Sequence, residues 1–132
     1  MLRAAVVLSD HPLTRGATNT ATCVSRTCGS SITVELDRQD DTIARVGMQV
    51  HACAVGQASA SLLAAHAAGR SVREVSGMTE RLEDWLKGSA ALPDWTGIEL
   101  LEPARAHPGR HDALLLPWKA ARQALCSPHD PR

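Results

Sequence analysis

The fold of this chain is decided by residues 32–50, which read ITVELDRQDDTIARVGMQV. Residues 32–36 alternate apolar and polar, which is the period-two pattern of a half-buried strand. After a polar turn the alternation returns, and two such runs joined by a short polar segment predict an antiparallel hairpin. Residues near 22–26 are expected to supply the third strand that an isolated hairpin needs for stability. The second strand places one apolar set on a single face: Ala44, Val46, Met48 and Val50.

Helical patterns follow the hairpin. An Ala-rich helix is predicted from about 56 to 68, because a glycine follows it as a stop. A second helix is predicted from the capping-box sequence at 71–74 to about Lys87. After a linker at 89–97, the apolar repeat of residues 114–125 predicts a last helix. Strands first and helices afterwards predict an α+β fold, in which a small antiparallel β-sheet of about three strands packs against helices.

The ends of the chain carry weaker patterns. Leu2 to Ser9 is apolar and predicts a short helix that stops before Pro12, because the residue before a proline is pushed out of the helical region. Residues 12–22 are rich in Thr, Gly and Asn and are interpreted as an irregular loop. The tail from Ser127, with its two prolines, is expected to be frayed.

Length and charge restrict the class of protein. A chain of 132 residues has the size of one domain. Its 14 Lys and Arg residues balance 14 Asp and Glu residues without long blocks of one sign, which argues against nucleic acid or an acidic membrane surface as a partner. No apolar run is long enough to cross a membrane and no secretory signal is recognisable, so a cytoplasmic location is expected. The four cysteines are therefore expected to be thiols.

Two of these thiols are predicted to meet at one edge of the sheet. Cys28 precedes the first strand of the hairpin and Cys53 follows the second, and a hairpin brings its two ends together. Cys53 also lies near the start of the following helix, where backbone N–H groups and the positive end of the helix dipole favour a thiolate. A thiolate is the form that binds metals or attacks sulfur. Gly29 permits a tight turn and the close approach of a metal or of a partner's backbone.

Four segments of the sequence together match the pattern of a known family. Residues 28–34, CGSSITV, resemble the opening Cys-Gly-Asp-x-Ile-x-Val, and residues 53–61, CAVGQASAS, resemble the segment Cys-Ala-Ile-Ser-x-Ala-Ser. PLTRG at 12–16 is similar to the loop Asn-Pro-Arg-Asn-x-Gly, and residues 108–118 are similar to the ending Pro-x-Arg-x-Lys-Cys-x-x-Leu-x-Trp. These are the motifs of U-type iron-sulfur cluster scaffolds, the NifU N-terminal, IscU and SufU group. The resemblance implies a single domain over 1–132 with a SufE/NifU-like fold.

Departures from the family pattern leave the predicted site incomplete. Three cysteines and an aspartate form the family's site, and here only Cys28 and Cys53 keep their places. Ser30 occupies the aspartate position, and an ungapped match puts Ala113 at the third cysteine. Because zinc or iron in such a site takes four donors, the missing donors are expected from nearby side chains or from a second protomer that adds its own two cysteines. The candidates within the chain are Asp112, His111 and His51.

The resemblance implies a carrier that needs no enzymatic turnover of its own. In the family, a cysteine desulfurase delivers persulfide sulfur to a site thiol, iron joins, and the nascent iron-sulfur cluster passes to a client protein. Cys28 and Cys53 are then iron ligands, and Arg110 stabilises the negative charge of bound sulfide or thiolate. Two alternatives stay open. One is a zinc-binding or metal-free sulfur acceptor that activates a desulfurase through Cys53, and the other is a docking module with a degenerate site.

The remaining thiols and the aromatic residues are assigned structural positions. Cys23 is interpreted as a strand residue, because free cysteine is commonly buried, and Cys126 as incidental. The three tryptophans are expected in or beside the core, since the chain has no Phe or Tyr. His51 is interpreted either as a ligand or as a solvated loop residue. The sequence contains no phosphate-binding loop, paired-carboxylate site or nucleophile elbow, so no enzyme class is predicted.

Overall fold

The computed structural model of this chain describes residues 19–25 and 29–126, with the backbone alone at Cys126. The predicted first helix at 2–9, Cys28 and the tail from Ser127 lie outside the described residues. Within the described residues, the chain follows the predicted order of strands first and helices afterwards. The α+β class is thereby confirmed, with a three-stranded antiparallel sheet and packed helices.

Three strands form the sheet in the order β1-β2-β3. β1 spans Asn19–Val24, β2 spans Ser31–Gln39 and β3 spans Thr42–His51. Both pairings are antiparallel, as the alternating pattern predicts. The expected third strand is confirmed, but it begins inside the segment that was interpreted as a loop. Threonine explains the difference, because it suits strands as well as loops and three of the residues at 17–22 are threonines.

A bulge in β3 changes which side chains face the core. Asp37 pairs with Arg45 while Arg38 pairs with Ile43, so Ala44 has no residue opposite it. One extra residue moves the side chains that precede it to the other face of the strand. Ile43 is consequently buried and Ala44 is exposed. The prediction that Ala44 lies on the core face is wrong for this reason.

Three α-helices follow the sheet: α1 spans Ala54–His66, α2 spans Val72–Leu86 and α3 spans His111–Cys126. The Glu74 N–H donates to the Ser71 hydroxyl at 3.0 Å, and the Ser71 N–H donates back to the Glu74 carboxylate at 3.4 Å. These reciprocal bonds confirm the predicted capping box. None of the helices in the described part of the chain has the length and apolar composition that crossing a membrane requires.

The segment between α2 and α3 is only partly a linker. After residues 89–97 the chain forms a 3-10 helix at Ile98–Ala106 and a short 3-10 turn at Pro108–Arg110. The turn leads directly into α3, which therefore begins at His111 rather than at 114. The first turn of α3 has too few apolar residues to extend the repeat that predicted the helix.

α3 is the centre of the packing, because it contacts β1, β2, α1 and α2. All three tryptophans are buried, which confirms their predicted place in the core. The rings of Trp95 and Trp118 meet edge to face with 4.9 Å between their centroids. The Trp95 indole N–H donates to the Leu62 carbonyl at 2.9 Å. Aliphatic side chains of Leu, Val, Ile and Ala supply most of the remaining core.

A short segment after α1 covers part of the outer edge of β3. The Ile43 N–H donates to the Arg70 carbonyl at 2.8 Å, and the Gly69 N–H donates to the Ile43 carbonyl at 2.8 Å. The Val72 N–H donates to the Asp41 carbonyl at 2.7 Å. Gly69 has a φ of +89°, which glycine adopts without steric cost. The beginning of β3 is therefore hydrogen-bonded on both sides.

Candidate functional site

Cys53 lies at the junction between the sheet and the helices. It is the N-cap residue of α1, with extended backbone angles, and its side chain makes no capping hydrogen bond. The thiol is half-buried and is not part of a disulfide. The Gln57 side chain, one turn into α1, donates to the Ala52 carbonyl at 3.1 Å and so fixes the backbone just before the cysteine. The Cys53 thiol therefore does not cap the helix.

The start of β2 lies beside the end of β3, as a hairpin requires. Ser31 pairs with His51, so the chain just before β2 is next to the segment that leads into Cys53. Ser30 is buried, with 4% of its surface exposed. Its carbonyl accepts from the Ser25 N–H at 2.8 Å, and Gly29 has a φ of +72°. The register confirms the hairpin geometry on which the Cys28–Cys53 pair rests, and the pair itself stays a prediction because Cys28 lies outside the described residues.

The first turn of α3 packs against the first turn of α1. A Cβ atom built on Gly56 would lie 3.5 Å from both the Cβ atom and the carbonyl oxygen of Ala113, and 2.7 Å from the Cβ atom of Ala52. Ala113, which matches the third cysteine of the family pattern, is 1% exposed. The structure therefore brings position 113 to the Cys53 segment, but position 113 offers a methyl group where the family has a ligand.

Asp112 faces the end of β1. The Ser25 hydroxyl donates to the Asp112 carboxylate at 3.5 Å, which ties the start of α3 to the residue that precedes segment 26–28. Asp112 also lines an open cleft of about 460 Å³ together with Cys23 and Lys119. The carboxylate is thus beside Ser25, at the end of β1.

His111 lies on a different side of α3 from Asp112. Its Nε2–H donates to the Arg105 carbonyl at 2.9 Å. The imidazole lines a small cleft of about 140 Å³ with Lys87 and Leu115, toward α2. His111 and Asp112 were both predicted as tentative ligands, and they border different clefts. The role of each as a ligand stays a prediction.

Two further predicted residues lie near Cys53 on the surface. Arg110 is exposed and lines a cleft of about 290 Å³ with Val55, which is two residues after Cys53. His51 is exposed at the end of β3, two residues before the cysteine. Both side chains are therefore at the same end of the molecule as the thiol, and their chemical roles stay predictions.

Cys23 has a structural environment. It lies in β1 as predicted, and its thiol donates to the Gln123 side-chain oxygen at 3.3 Å. Burial raises the pKa of Cys23, and the positive charges of Lys119 and Arg122 oppose this effect. The net rise in its pKa disfavours the thiolate form of Cys23.

Residues 19–25 and 29–126 contain no group of three or more His, Cys, Asp or Glu side chains arranged to hold a metal ion. Cys28 lies outside these ranges. The ligand set of the predicted site therefore stays a prediction.

One buried contact near the site was not anticipated from the sequence. The Trp118 indole N–H donates to the Ser59 hydroxyl at 2.8 Å, and that hydroxyl donates to the Leu114 carbonyl at 2.6 Å. Ser59 is fully buried. A serine in an Ala-rich helix and a proline inside α3, Pro117, were the available signals. Neither signal identifies the partner, because the two contacts join residues 55 and 59 positions apart.

Together, the fold and the site define a small α+β protein with a half-buried free thiol at the end of its sheet. The sequence model of the NifU-like N-terminal domain matches residues 8–93. This chain therefore belongs to the NifU-like N-terminal domain family, which confirms the resemblance to U-type scaffolds.

Individual relatives agree with the family. The chain is 27% identical over 116 residues to the iron-sulfur cluster assembly scaffold protein IscU of Thermotoga maritima, and the match covers 84% of this chain and 82% of that protein. A crystal structure of a nitrogen-fixing NifU-like protein (N-terminal) from Brucella abortus superposes with a TM-score of 0.83 at 27% identity, over 94% of this chain and 90% of that one.

A second solved structure supports the fold alone. A candidate iron-sulfur cluster assembly scaffold for the SUF system from Fervidobacterium islandicum AW-1 superposes with a TM-score of 0.79 at 24% identity. The match covers 90% of this chain and 93% of that chain. Nearly the whole chain therefore adopts the architecture of these proteins.

Proposed function

We propose that this protein is an iron-sulfur cluster assembly scaffold that holds iron and sulfide, or a nascent cluster, at the Cys53 end and passes it to client proteins. The observation that carries the proposal is the position of Cys53. Its thiol sits at the N-cap of α1 without a capping bond, beside the start of β2 and the first turn of α3. Backbone N–H groups at a helix start favour the binding of negatively charged groups such as sulfide or a nascent cluster. Membership of the family supports the same role.

In this proposal, Cys28 and Cys53 are the two cysteine ligands of iron. Asp112 is the proposed carboxylate donor, because it accepts from the hydroxyl of Ser25, three residues before Cys28 in the sequence. His111 is the weaker candidate, because its Nε2–H already donates to the Arg105 carbonyl. Arg110, on the same end of the molecule, offsets the negative charge of thiolates and sulfide. A second protomer is a further source of thiolates if one chain supplies too few.

The test is anaerobic reconstitution with ferrous iron and sulfide, followed by visible absorption and iron counting per protomer. Wild type is compared with Cys53→Ala and with Cys28→Ala, and Cys23→Ala is the matched control because it also removes one thiol. We expect colour and iron in wild type and in Cys23→Ala, and their loss in the other two variants. A wild type that retains no iron, or a Cys53→Ala variant that retains all of it, would contradict the proposal.

A second candidate function is sulfur acceptance, with zinc or without a metal. Two positions of the family's ligand set hold Ser30 and Ala113, both buried, and this donor shortage favours it. In this function the Cys53 thiolate attacks the outer sulfur of a persulfide on a cysteine desulfurase, whose own cysteine leaves as a thiolate. No oxidant or reductant is needed for this transfer. Stimulation of a desulfurase by wild type and by Cys23→Ala, but not by Cys53→Ala, is the expected result.

The proposed partners follow from the proposed cargo. A cysteine desulfurase supplies sulfur and an iron-sulfur client or carrier protein removes the cluster, so the chain itself is a carrier rather than an enzyme. The reduced thiols that this role requires fit the cytoplasm. The third alternative, a docking module with a degenerate site, predicts unchanged client maturation when Cys28 and Cys53 are both replaced.

A further inference from the structure

Pro117 lies inside α3, one residue before Trp118. Proline has no backbone N–H, so Pro117 cannot donate to the carbonyl four residues earlier, at Ala113, and its ring crowds that carbonyl. The first turn of α3, which contains Asp112, is therefore held less firmly by the helix's own hydrogen bonds than the turns after Pro117.

α1 meets the first turn of α3 at the Ala113 carbonyl, which Pro117 leaves without a helical donor, and at the next carbonyl, that of Leu114. Gly56 faces Ala113, where an added Cβ atom would lie 3.5 Å from the carbonyl oxygen. Ser59 is three residues further along α1 and so lies on the same face. Its hydroxyl donates to the Leu114 carbonyl at 2.6 Å. Two successive carbonyls of α3 are thus covered by two successive positions of one face of α1.

The Ser59 hydroxyl makes two hydrogen bonds. It donates to the Leu114 carbonyl and accepts from the Trp118 indole N–H at 2.8 Å, so it joins the turns before and after Pro117. Ser59 and Trp118 are both fully buried, where water does not replace a lost partner. The later turns of α3 have other ties to the sheet, including the Asn19 side chain, which donates to the Ala124 carbonyl at 2.9 Å.

We infer that Ser59 is a positioning residue, which fixes the first turn of α3 against the Cys53 end of α1. Without its hydroxyl, the turn before Pro117 loosens most, because the turns after Pro117 lose the acceptor of the Trp118 indole but keep other ties to the sheet. The inference rests on the proposed function only in its purpose, which is to keep Asp112 near the proposed cysteine site. The contact between α1 and the first turn of α3 does not depend on bound iron or sulfide.

The experiment compares the alkylation rates of two thiols in Ser59→Ala and wild type. Iodoacetamide is applied to the metal-free full chain without denaturant, and peptide mass spectrometry follows Cys53 and Cys23 separately. We expect Cys53 to react faster by roughly three- to tenfold, the factor that corresponds to losing one hydrogen bond. Cys23 is expected to accelerate clearly less than Cys53, because its thiol is hydrogen-bonded to Gln123, after Pro117, although Cys23 shares a cleft with Asp112.

Ser61→Ala is the matched control, since Ser61 lies on the same helix and its hydroxyl donates only locally, to the Ala58 carbonyl at 2.7 Å. Its Cys53 rate should equal that of wild type. Equal acceleration of Cys53 and Cys23 in Ser59→Ala would indicate general loosening and overturn the inference, as would an unchanged Cys53 rate. Because the readout needs no metal, these outcomes are independent of whether wild type holds iron.

A second variant tests whether Pro117 makes the first turn of α3 depend on Ser59. Pro117→Ala restores an N–H that can donate to the Ala113 carbonyl, so the first turn of α3 should depend less on Ser59. In this background, Ser59→Ala is expected to change the Cys53 rate less than it does in wild type. The same fold-change in both backgrounds would overturn the coupling between the two residues.

Discussion

Two regions of the molecule differ in how their polar groups are paired and buried. They are the buried contact between α1 and α3 and the Cys53 end. In the interior, the indole N–H groups of Trp95 and Trp118 both have acceptors, and the side chains around them are closely packed. At the Cys53 end, the thiol makes no capping bond, and His51 and Arg110 are exposed. Stability is therefore concentrated in the interior, and reactive groups are concentrated at the end. Substitutions in the two regions should separate stability from cargo binding.

The largest expected effect is in the interior. Leu63 is fully buried in α1, and Leu63→Ala should lower the free energy of unfolding by roughly 2–5 kcal/mol, because it removes buried methyl groups and leaves a cavity. Leu100→Ala is the control, since Leu100 is 68% exposed and should change stability by less than about 0.5 kcal/mol. Urea unfolding followed by circular dichroism measures both. Similar decreases in the free energy of unfolding in Leu63→Ala and Leu100→Ala would contradict the view that stability is concentrated in the interior.

A smaller effect, of opposite sign, is expected at Thr79. Among the described residues, the Thr79 hydroxyl is the one buried side-chain oxygen or nitrogen without a hydrogen-bond partner. Thr79→Val removes this desolvated hydroxyl at nearly constant volume and should raise the free energy of unfolding by about 1 kcal/mol. Thr79→Ser keeps the hydroxyl and loses a methyl group, so it should be destabilised. A Thr79→Val variant less stable than wild type would show that the hydroxyl has a partner.

The capping box at the start of α2 should give a pH-dependent effect smaller than that of Thr79, because the Glu74 side chain is 47% exposed. Hydrogen bonds from the Ser71 backbone and from Arg70 lower the pKa of Glu74. A lowered pKa in the folded state means that the stabilisation is complete above the pKa of the unfolded chain and disappears as the pH falls through the folded value. Wild type should therefore exceed Glu74→Gln in stability at neutral pH, and the difference should shrink in acid. A difference that is constant from neutral pH into acid would exclude the charge as its cause.

The smallest effect on stability is expected at the site. Cys53→Ser places a favoured N-cap residue at the start of α1, so the free energy of unfolding should stay the same or rise by no more than about 0.5 kcal/mol. The same variant should lose the iron that wild type retains after reconstitution, because serine is a poor ligand for iron in such a site. Loss of stability comparable to that of Leu63→Ala would place Cys53 in the structural core instead.

The sequence predicted the hairpin and the helices well because their patterns are local. Alternation identified β2 and β3, and the capping box identified the start of α2. The bulge at Ala44 was missed, since an extra residue in a strand leaves no separate mark in the alternation of apolar and polar residues. The 3-10 segment at Ile98–Ala106 was missed because it has little periodicity and contains a proline.

The candidate site was predictable only in part. The motif predicted Cys53 near the start of a helix, and the structure has it as the N-cap of α1, with Ala113 packed against Gly56 in the first turn of that helix. The hydrogen bonds of Ser59 were not predictable, because its partners are more than 50 positions away in the sequence and are brought close by packing. His111 and Asp112 point in different directions because adjacent residues of a helix do not share a face, and this was not predicted because the helix was expected only from residue 114.

The hydrogen bonds between β3 and the segment after α1 have a consequence for the protein in concentrated solution. A strand at the border of a sheet exposes N–H and C=O groups that can recruit a strand from another molecule and begin aggregation. Here the backbone of Gly69 and Arg70 occupies such groups at Ile43, the most apolar part of the beginning of β3. A loop that looks like a simple connection between two helices thus also keeps neighbouring molecules from pairing with the beginning of β3.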